Sequence, residues 1–303
     1  MKYFLSFTVL LSLFMLYTQT AKEYFQEGKR KYQLEITGAY ELFEKAIELD
    51  SNYWQAYYYR GLIFARSVFP SIEVYNDFNK VIELNPNFDS AYFHRGLVRT
   101  SLHGEHESIK DFTKAIELNP EYGEAYYQRG QKYYWLKEYQ SALSDFKEST
   151  RIYPNWEVPY VERGLLKNDL GDYRGAILDY TKAIEINVKN AWNYMYRANA
   201  KSKLSDDNEA LLDYNKSILL DSKNFLCFQN RALCKNKLKD YKDEIYDWTK
   251  VIELQPDWID AYIGRGFAKF QSLDKKGACL DWSTAGEKGS MYAYDLIKKY
   301  CNN

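Results

Sequence analysis

Arginine and aspartate recur along the 303-residue chain at a fixed interval, and together they could bind a charged ligand or pair with one another. Seven arginines recur, the first two 35 residues apart and each later one 34 residues after the one before it: Arg60, Arg95, Arg129, Arg163, Arg197, Arg231 and Arg265. Seven aspartates recur every 34 residues: Asp77, Asp111, Asp145, Asp179, Asp213, Asp247 and Asp281. Each arginine precedes its aspartate by 16 residues, or by 17 in the first case. Because this pattern is uniform whereas a ligand site is local, we interpret it as a structural ladder of ion pairs.

Other residues that could do chemistry do not form a motif. All three histidines lie between His94 and His106, and the sequence HGEHE begins at His103. This segment contains Gly104 and fits none of the helical zinc-protease spacings, so we interpret it as an exposed turn and predict no metal site. The chain contains no GxxxxGK[ST], GxSxG or GxGxxG sequence. We therefore predict a protein that is not an enzyme and has no cofactor.

The interval between the arginines corresponds to a pair of helices. Tyr126, Gly130 and Tyr133 follow at positions i, i+4 and i+7, and Ala142 and Phe146 stand four residues apart. Both spacings are helical. Two helices of about 14 residues with tight turns account for one period. An aromatic residue follows every aspartate of the ladder.

The period resembles the tetratricopeptide repeat (TPR), whose pattern is matched at Tyr126, Gly130, Tyr133, Ala142, Phe146 and Pro154. The resemblance implies an all-α fold, a right-handed α-solenoid of about eight helix-turn-helix units with a C-terminal capping helix. The expected units span residues 21–53, 54–88, 89–122, 123–156, 157–190, 191–224, 225–258 and 259–290, and the cap spans residues 291–301. We expect one uninterrupted stack over residues 19–303.

The first residues differ from the rest. A basic start is followed by an uncharged run from Tyr3 to Ala21. We predict a secretory signal peptide at residues 1–18, cleaved between residues 18 and 21, so that the protein is periplasmic or secreted. The alternative is a membrane anchor at residues 3–21. The stretch from Gln19 resembles the mature start of exported TPR proteins of the Bacteroidota.

The four cysteines fall into two pairs. Cys227 and Cys234 are seven residues apart on one helix, about 10.5 Å along its axis, which is too far for a bridge. We expect them to pack as small apolar groups. Cys279 lies on the last second helix and Cys301 at the end of the cap, in a frame that resembles the ending of the same exported proteins. If the protein is exported, we predict a disulfide between them.

The first helices of the units are expected to line the inner wall of the superhelix. Residues two before, two after and five after each ladder arginine would share the face turned away from the paired helix. The predicted ligand groove consists of Tyr58, Leu62, Phe93, Leu97, Tyr127, Gln131, Tyr134, Asn168 and Asn199. Tyr58, Phe93, Tyr127 and Tyr134 are its expected aromatic anchors. The alternative is that these rings fill seams between adjacent first helices.

The resemblance and the composition together imply a binding function. The formal net charge is −1 and no basic block occurs, so we predict no nucleic-acid partner. A lysine with an asparagine four residues later is missing from the groove-facing positions, which argues against a clamp for acidic chaperone tails. The leading hypothesis is a scaffold that binds a peptide or protein in its groove. A subunit or accessory of a cell-envelope assembly is the alternative, and an envelope hydrolase is a more remote one.

Overall fold

The chain folds into paired helices. The computed structural model describes residues 19–65, 72–102 and 104–301, and the predicted signal peptide, His103 and the turn around Pro70 lie outside these ranges. The described residues form 17 helices: α1 (Ala21–Gln33), α2 (Ala39–Leu49), α3 (Trp54–Ala65), α4 (Ile72–Leu84), α5 (Asp89–Ser101), α6 (Glu105–Leu118), α7 (Gly123–Trp135), α8 (Tyr139–Ile152), α9 (Glu157–Asp169), α10 (Tyr173–Ile186), α11 (Ala191–Lys203), α12 (Asp207–Leu220), α13 (Phe225–Lys237), α14 (Tyr241–Leu254), α15 (Ile259–Gln271), α16 (Lys275–Glu287) and α17 (Met291–Tyr300).

Two compact units share these helices: an N-terminal unit that ends at Ile152 and a C-terminal unit that begins at Tyr153. Four hairpins, α1/α2 to α7/α8, form the described part of the N-terminal unit. The C-terminal unit consists of the hairpins α9/α10 to α15/α16 and the final helix α17. The prediction of an all-α fold built from helix hairpins is confirmed. The prediction of one uninterrupted stack stays a prediction.

Small residues let the two helices of a hairpin approach closely. Gly130 on α7 faces Phe146 on α8, and a Cβ atom at Gly130 would lie 2.9 Å from the Phe146 ring. Because Cβ atoms do not come this close to other atoms in proteins, the glycine is required by packing. Phe146 is fully buried in this contact.

The turn between the helices of a hairpin contains a residue in the left-handed conformation. Five successive hairpins have one there: Lys137, Gly171, Ser205, Lys239 and Leu273. Such a residue lets the chain reverse immediately after the first helix. The second helix then starts at a short side chain: Asp172, Asp240 and Asp274 each accept a backbone N–H of its first turn.

Two seams between successive hairpins are filled by pairs of rings. The ring of Phe78 on α4 stacks on His94 of α5 at 5.5 Å, and Tyr180 on α10 contacts Tyr196 of α11 at 5.7 Å. At the equivalent seam, Trp248 on α14 faces Gly264 on α15. A Cβ atom at Gly264 would lie 2.5 Å from the indole, so the larger ring requires the absence of a side chain opposite.

The final helix covers the last second helix. Trp282 on α16 is fully buried, and the rings of Phe270 and Tyr300 lie 5.9 and 5.7 Å from it. A disulfide joins Cys279 to Cys301, with a Cα–Cα distance of 5.9 Å, and so holds α17 on α16. Cys227 and Cys234 are buried free thiols, as expected. In the described ranges, no helix has both the length and the apolar character needed to cross a bilayer.

We expect the disulfide to stabilise the C-terminal unit. The bridge closes a loop with a sequence separation of 22 residues. In the chain-entropy model, such a loop contributes about 3 kcal/mol to the free energy of unfolding. Cys279→Ser with Cys301→Ser should lower the melting temperature, and reducing agent should lower that of the wild type equally. An unchanged melting temperature in both experiments would contradict this prediction.

We also expect an acid-dependent loss of stability caused by His94. Its Nδ1 atom is buried without a hydrogen-bond partner among the described residues, and burial lowers the pKa of the imidazole to about 4. Since the unfolded chain titrates near 6.5, it binds more protons than the folded chain between about pH 6.5 and 4. The free energy of unfolding should therefore fall as the pH is lowered through this window, by on the order of 3 kcal/mol.

Denaturant unfolding of His94→Phe at several pH values checks this. The variant should lose most of the pH dependence in that window, because a phenyl ring cannot bind a proton. His106→Gln is the matched control, since His106 is exposed, and it should keep the dependence. Equal pH profiles for the wild type and His94→Phe would refute the assignment.

Candidate functional site

The arginine and aspartate series form bidentate ion pairs. In every pair the arginine Nε donates to Oδ2 at 2.8–3.0 Å and Nη2 donates to Oδ1 at 2.5–2.8 Å. The pairs are Arg60–Asp77, Arg95–Asp111, Arg129–Asp145, Arg163–Asp179, Arg197–Asp213, Arg231–Asp247 and Arg265–Asp281. All seven aspartates are buried. Each pair joins the first helix of a hairpin to the second.

Each guanidinium also contacts residues outside its pair. The Nη1 of Arg129 donates to Thr113 on α6, at 3.1 Å, and Arg197 contacts Thr181 on α10 in the same way. In most repeats, the centroid of the aromatic ring three residues before the ladder arginine lies 5.4–5.8 Å from the guanidinium carbon, as in the pair Tyr126 and Arg129. Arg95, Arg129, Arg197, Arg231 and Arg265 therefore each connect three helices, which is a structural role and leaves few donors for a ligand.

A second cation, which our sequence analysis missed, binds most of these aspartates. It lies four residues after the ladder arginine, one turn further along the first helix, and donates to Oδ2 at 2.8 Å. The second cations are Arg99, Lys167, Lys201, Lys235 and Lys269. The sequence signal was the basic residue at this offset in five of seven repeats.

In the two remaining repeats an aromatic residue occupies that offset: Phe64 follows Arg60 and Tyr133 follows Arg129. Burial raises the pKa of Asp77 and of Asp145, although an arginine binds each carboxylate. Desolvation therefore outweighs the attraction of the single guanidinium at these two sites.

Two of the predicted aromatic anchors of the N-terminal unit are packed between helices, which agrees with the alternative that these rings fill seams. Phe93 and Tyr127 are each only 9% exposed. The Phe93 ring lies 4.8 Å from Tyr122, and the Tyr58 ring lies 4.9 Å from Phe88, in the segments that lead into the next hairpins. Because successive first helices lie close together, these rings fill their seams.

The other predicted groove residues of this unit are half-buried. Leu62 packs against the cluster around Phe78, and Leu97 against the cluster around Phe112. Gln131 donates to the hydroxyl of Tyr127 at 2.7 Å. The ring of Tyr134 lies 6.1 Å from that of Tyr139. None of these side chains projects freely into solvent as an anchor would.

In the C-terminal unit the corresponding face is polar and more open. The Oδ1 of Asn199 accepts bonds from the Tyr214 hydroxyl at 2.7 Å and from Asn230 Nδ2 at 3.1 Å. The Oε1 of Gln229, beside Asn230, is buried without a hydrogen-bond partner among the described residues. Asn168, the remaining predicted residue, is partly exposed on α9.

Exposed apolar side chains accompany these amides. Trp192 on α11 is 41% exposed and lies 6.1 Å from Tyr196, and Leu233 on α13 is 49% exposed. The three positions relative to each ladder arginine that we expected to line the groove include Leu233. They do not include Trp192, which precedes Arg197 by five residues. We call this surface of α11 and α13 the amide face; it consists of Trp192, Tyr196, Asn199, Gln229, Asn230 and Leu233.

No group of metal-ligating side chains occurs in the part of the chain that the structure describes. His94 lies in a seam between rings, and His106 is exposed on α6. The HGEHE segment contains His103, which lies outside the described residues.

Comparisons with known proteins identify the repeat. Residues 123–156 and residues 159–190 each match a tetratricopeptide repeat family model. No curated protein matches the chain. These two segments of the chain are therefore similar to the tetratricopeptide repeat.

Solved structures share the fold. The C-terminal part of a TPR repeat-containing protein from Cytophaga hutchinsonii matches with a TM-score of 0.67 and 17% identity, over 79% of this chain and 98% of that one. A tetratricopeptide repeat protein from Parabacteroides merdae matches with a TM-score of 0.54 and 20% identity, over 86% and 99%. YrrB, described as a TPR protein with an unusual peptide-binding site, matches with a TM-score of 0.56 and 21% identity, over 61% and 95%.

We expect Arg129→Ala to destabilise the fold by on the order of 1–3 kcal/mol, because it leaves the buried Asp145 without its guanidinium. Thermal and denaturant unfolding measure this. Arg174→Ala is the matched control, since Arg174 is exposed on a second helix, and it should change stability little. An unaltered melting temperature in Arg129→Ala would show that the pair is not structural.

Proposed function

We propose that the chain is a tetratricopeptide-repeat protein and acts as a non-enzymatic scaffold that binds an extended segment of a partner protein. The site that we propose for this segment is the amide face of the C-terminal unit. Its support is the coincidence, on two neighbouring first helices, of amide side chains, an unsatisfied buried acceptor and exposed apolar groups.

Amide side chains suit the backbone of a peptide. Asparagine and glutamine each offer a carbonyl acceptor and an NH₂ donor, as the peptide group itself does. The Oε1 of Gln229 needs a donor, because a buried acceptor without a partner is unfavourable. If the Gln229 side chain turned toward the surface, a backbone N–H of the segment would supply it.

The apolar residues of the face suit side chains of the segment. Trp192 and Leu233 are exposed beside the amides, and burial of such groups provides most of the binding energy in interfaces. The predicted anchors Phe93 and Tyr127 of the N-terminal unit do not contribute in this proposal, because their rings are already packed in seams.

We further propose that the protein acts outside the cytoplasm. Disulfides persist in oxidising compartments, and the Cys279–Cys301 bridge fits such a location. The uncharged run from Tyr3 to Ala21 fits an export signal. Release of a protein that begins near residue 19 into a periplasmic or culture fraction would support export, and retention of the full chain in the membrane fraction would contradict it.

Site-specific photocrosslinking tests the amide face. A photoreactive amino acid at position 233 should crosslink to a partner from envelope extract, and mass spectrometry of the adduct should identify one recurrent segment. The matched control is position 219, because Leu219 is 77% exposed but lies on a second helix. Adducts of equal yield and diversity at both positions would refute the proposal.

Substitution separates binding from folding. Trp192→Ser with Asn230→Ala should abolish the crosslink at position 233. Helicity should be retained, because both side chains reach the surface. Gln131→Ala, in the N-terminal unit, should leave the crosslink unchanged. A crosslink that survives the double substitution would place the binding site elsewhere.

A further inference from the structure

The ladder aspartate of the α7/α8 hairpin receives no second cation from the chain. In five other repeats, a basic residue one turn after the ladder arginine donates to the Oδ2 atom of the aspartate at 2.8 Å, and four of these five residues are lysines. In this hairpin the corresponding residue is Tyr133. Among the described residues, the carboxylate of Asp145 accepts hydrogen bonds from Arg129 alone.

A cleft of about 470 Å³ opens beside this carboxylate. It is formed by α6, α7 and α8, and its lining consists of Thr113, Arg129, Tyr133, Gln140, Ser141, Ser144 and Asp145. Only the ladder pair is charged among these residues. The others carry hydroxyl or amide groups, which can accept hydrogen bonds from a ligand.

The C-terminal unit contains an equivalent cleft of about 440 Å³, formed by α12, α13 and α14. Five residues of its lining lie 102 residues, or three periods of 34, after residues of the first cleft. Asn215, Arg231, Lys235, Asp243 and Tyr246 correspond in this way to Thr113, Arg129, Tyr133, Ser141 and Ser144. The two clefts are therefore the same feature of two hairpins, with a lysine in one where the other has a tyrosine.

Lys235 shows how an ammonium group is held in such a cleft. Its Nζ atom donates to the Oδ2 atom of Asp247 at 2.8 Å and to the backbone carbonyl of Asp243 at 3.2 Å. The second cation of the α5/α6 hairpin makes the same two kinds of contact, at 2.8 and 3.3 Å. In the α7/α8 hairpin the corresponding acceptors are the Oδ2 atom of Asp145 and the carbonyl of Ser141, and both residues line the cleft.

The position of the acceptor, and not an excess of negative charge, specifies the ligand. Arg129 and Asp145 balance one another within the lining. Burial raises the pKa of Asp145 in spite of this guanidinium, so a further cation at the carboxylate would offset its desolvation. Lys110, Lys137 and Glu138 are exposed outside the lining, where water and salt screen their charges.

We propose that the cleft beside Asp145 binds an ammonium group at the end of an aliphatic chain, which donates to Oδ2 as the chain's own lysines do in other repeats. Two cations at one carboxylate are compatible, because Arg231 and Lys235 share Asp247 in this way. The ring of Tyr133, whose centroid lies 5.8 Å from the guanidinium carbon of Arg129, offers a surface for the aliphatic part. The cleft lies in the N-terminal unit, so the proposal does not depend on the amide face.

Saturation-transfer NMR tests the proposal with the full chain at neutral pH. The probes are n-butylammonium, which represents a free alkylamine, and Nα-acetyl-lysine methylamide, which represents a lysine within a protein. Both should receive saturation from the protein, and acetylation of the lysine Nε should abolish the effect because it removes the charge. Tighter binding of the lysine probe would assign the cleft to a protein segment, and equal binding of the two probes would assign it to a free alkylamine.

Tyr133→Lys supplies the cleft with its own ammonium group, as Lys235 does in the equivalent cleft, and should therefore no longer bind either probe. Exposed carboxylates elsewhere also attract ammonium groups, so the difference between variants measures the site. Trp135→Lys is the matched control, because it adds the same charge at a side chain that is 77% exposed two residues further along α7. It should bind both probes like the wild type.

Thermal unfolding gives a second measurement. Tyr133→Lys should melt at a higher temperature than Tyr133→Met, because both variants lose the ring and only the lysine can donate to Asp145. Absence of binding to the wild type, undiminished binding to Tyr133→Lys, or equal binding of the acetylated lysine probe would overturn the proposal. A melting temperature of Tyr133→Lys at or below that of Tyr133→Met would also overturn it, since Asp145 would then not accept a second cation.

Discussion

A carboxylate that is withdrawn from water needs a cation beside it, and this requirement decides how the helices of this protein meet. Every ladder aspartate is buried, and both of its oxygens accept from one guanidinium. The fork of the arginine matches the carboxylate in only one orientation, so the pair fixes the register of two helices. Contacts such as Arg129 with Thr113 extend the constraint to the preceding hairpin. Apolar packing supplies the energy of the stack, and the ion pairs select one alignment.

Much of this ion-pair ladder could be predicted from the sequence repeat. Arginine and aspartate at a nearly constant offset indicate a contact that recurs from hairpin to hairpin, and the structure shows that contact in seven of the eight described hairpins. The second cation was equally visible as a residue type, as at Lys167. Its ion-pair partner could not be predicted, because the ladder arginine already accounted for both carboxylate oxygens of the aspartate. Only the geometry shows that one carboxylate oxygen accepts from both groups.

Which residues of the first helices are exposed was predicted less well, for a physical reason. Each first helix has a side that faces away from its partner helix. Part of this side faces solvent and part packs on the neighbouring first helix, and helical spacing alone does not tell which residues lie on which part. Phe93 and Tyr127 lie on the shared part and are buried. Trp192, five residues before Arg197, lies on the open part. The distance between neighbouring hairpins decides this division, and residue types do not encode it directly.

The seam between α14 and α15 has a consequence for how such a chain can change. Trp248 fits only because Gly264 lacks a side chain, whereas the equivalent seams place His94 against Phe78 and Tyr196 against Tyr180. Every other ladder arginine is preceded by a residue with a side chain, such as His94, Gln128 or Asn230. The hairpin that contains Trp248 is thus matched to the successor that it has. Insertion of any other hairpin of this chain after α14 by recombination would bring a side chain against the indole, so a change in the order of the repeats at this seam would require a compensating substitution at Trp248.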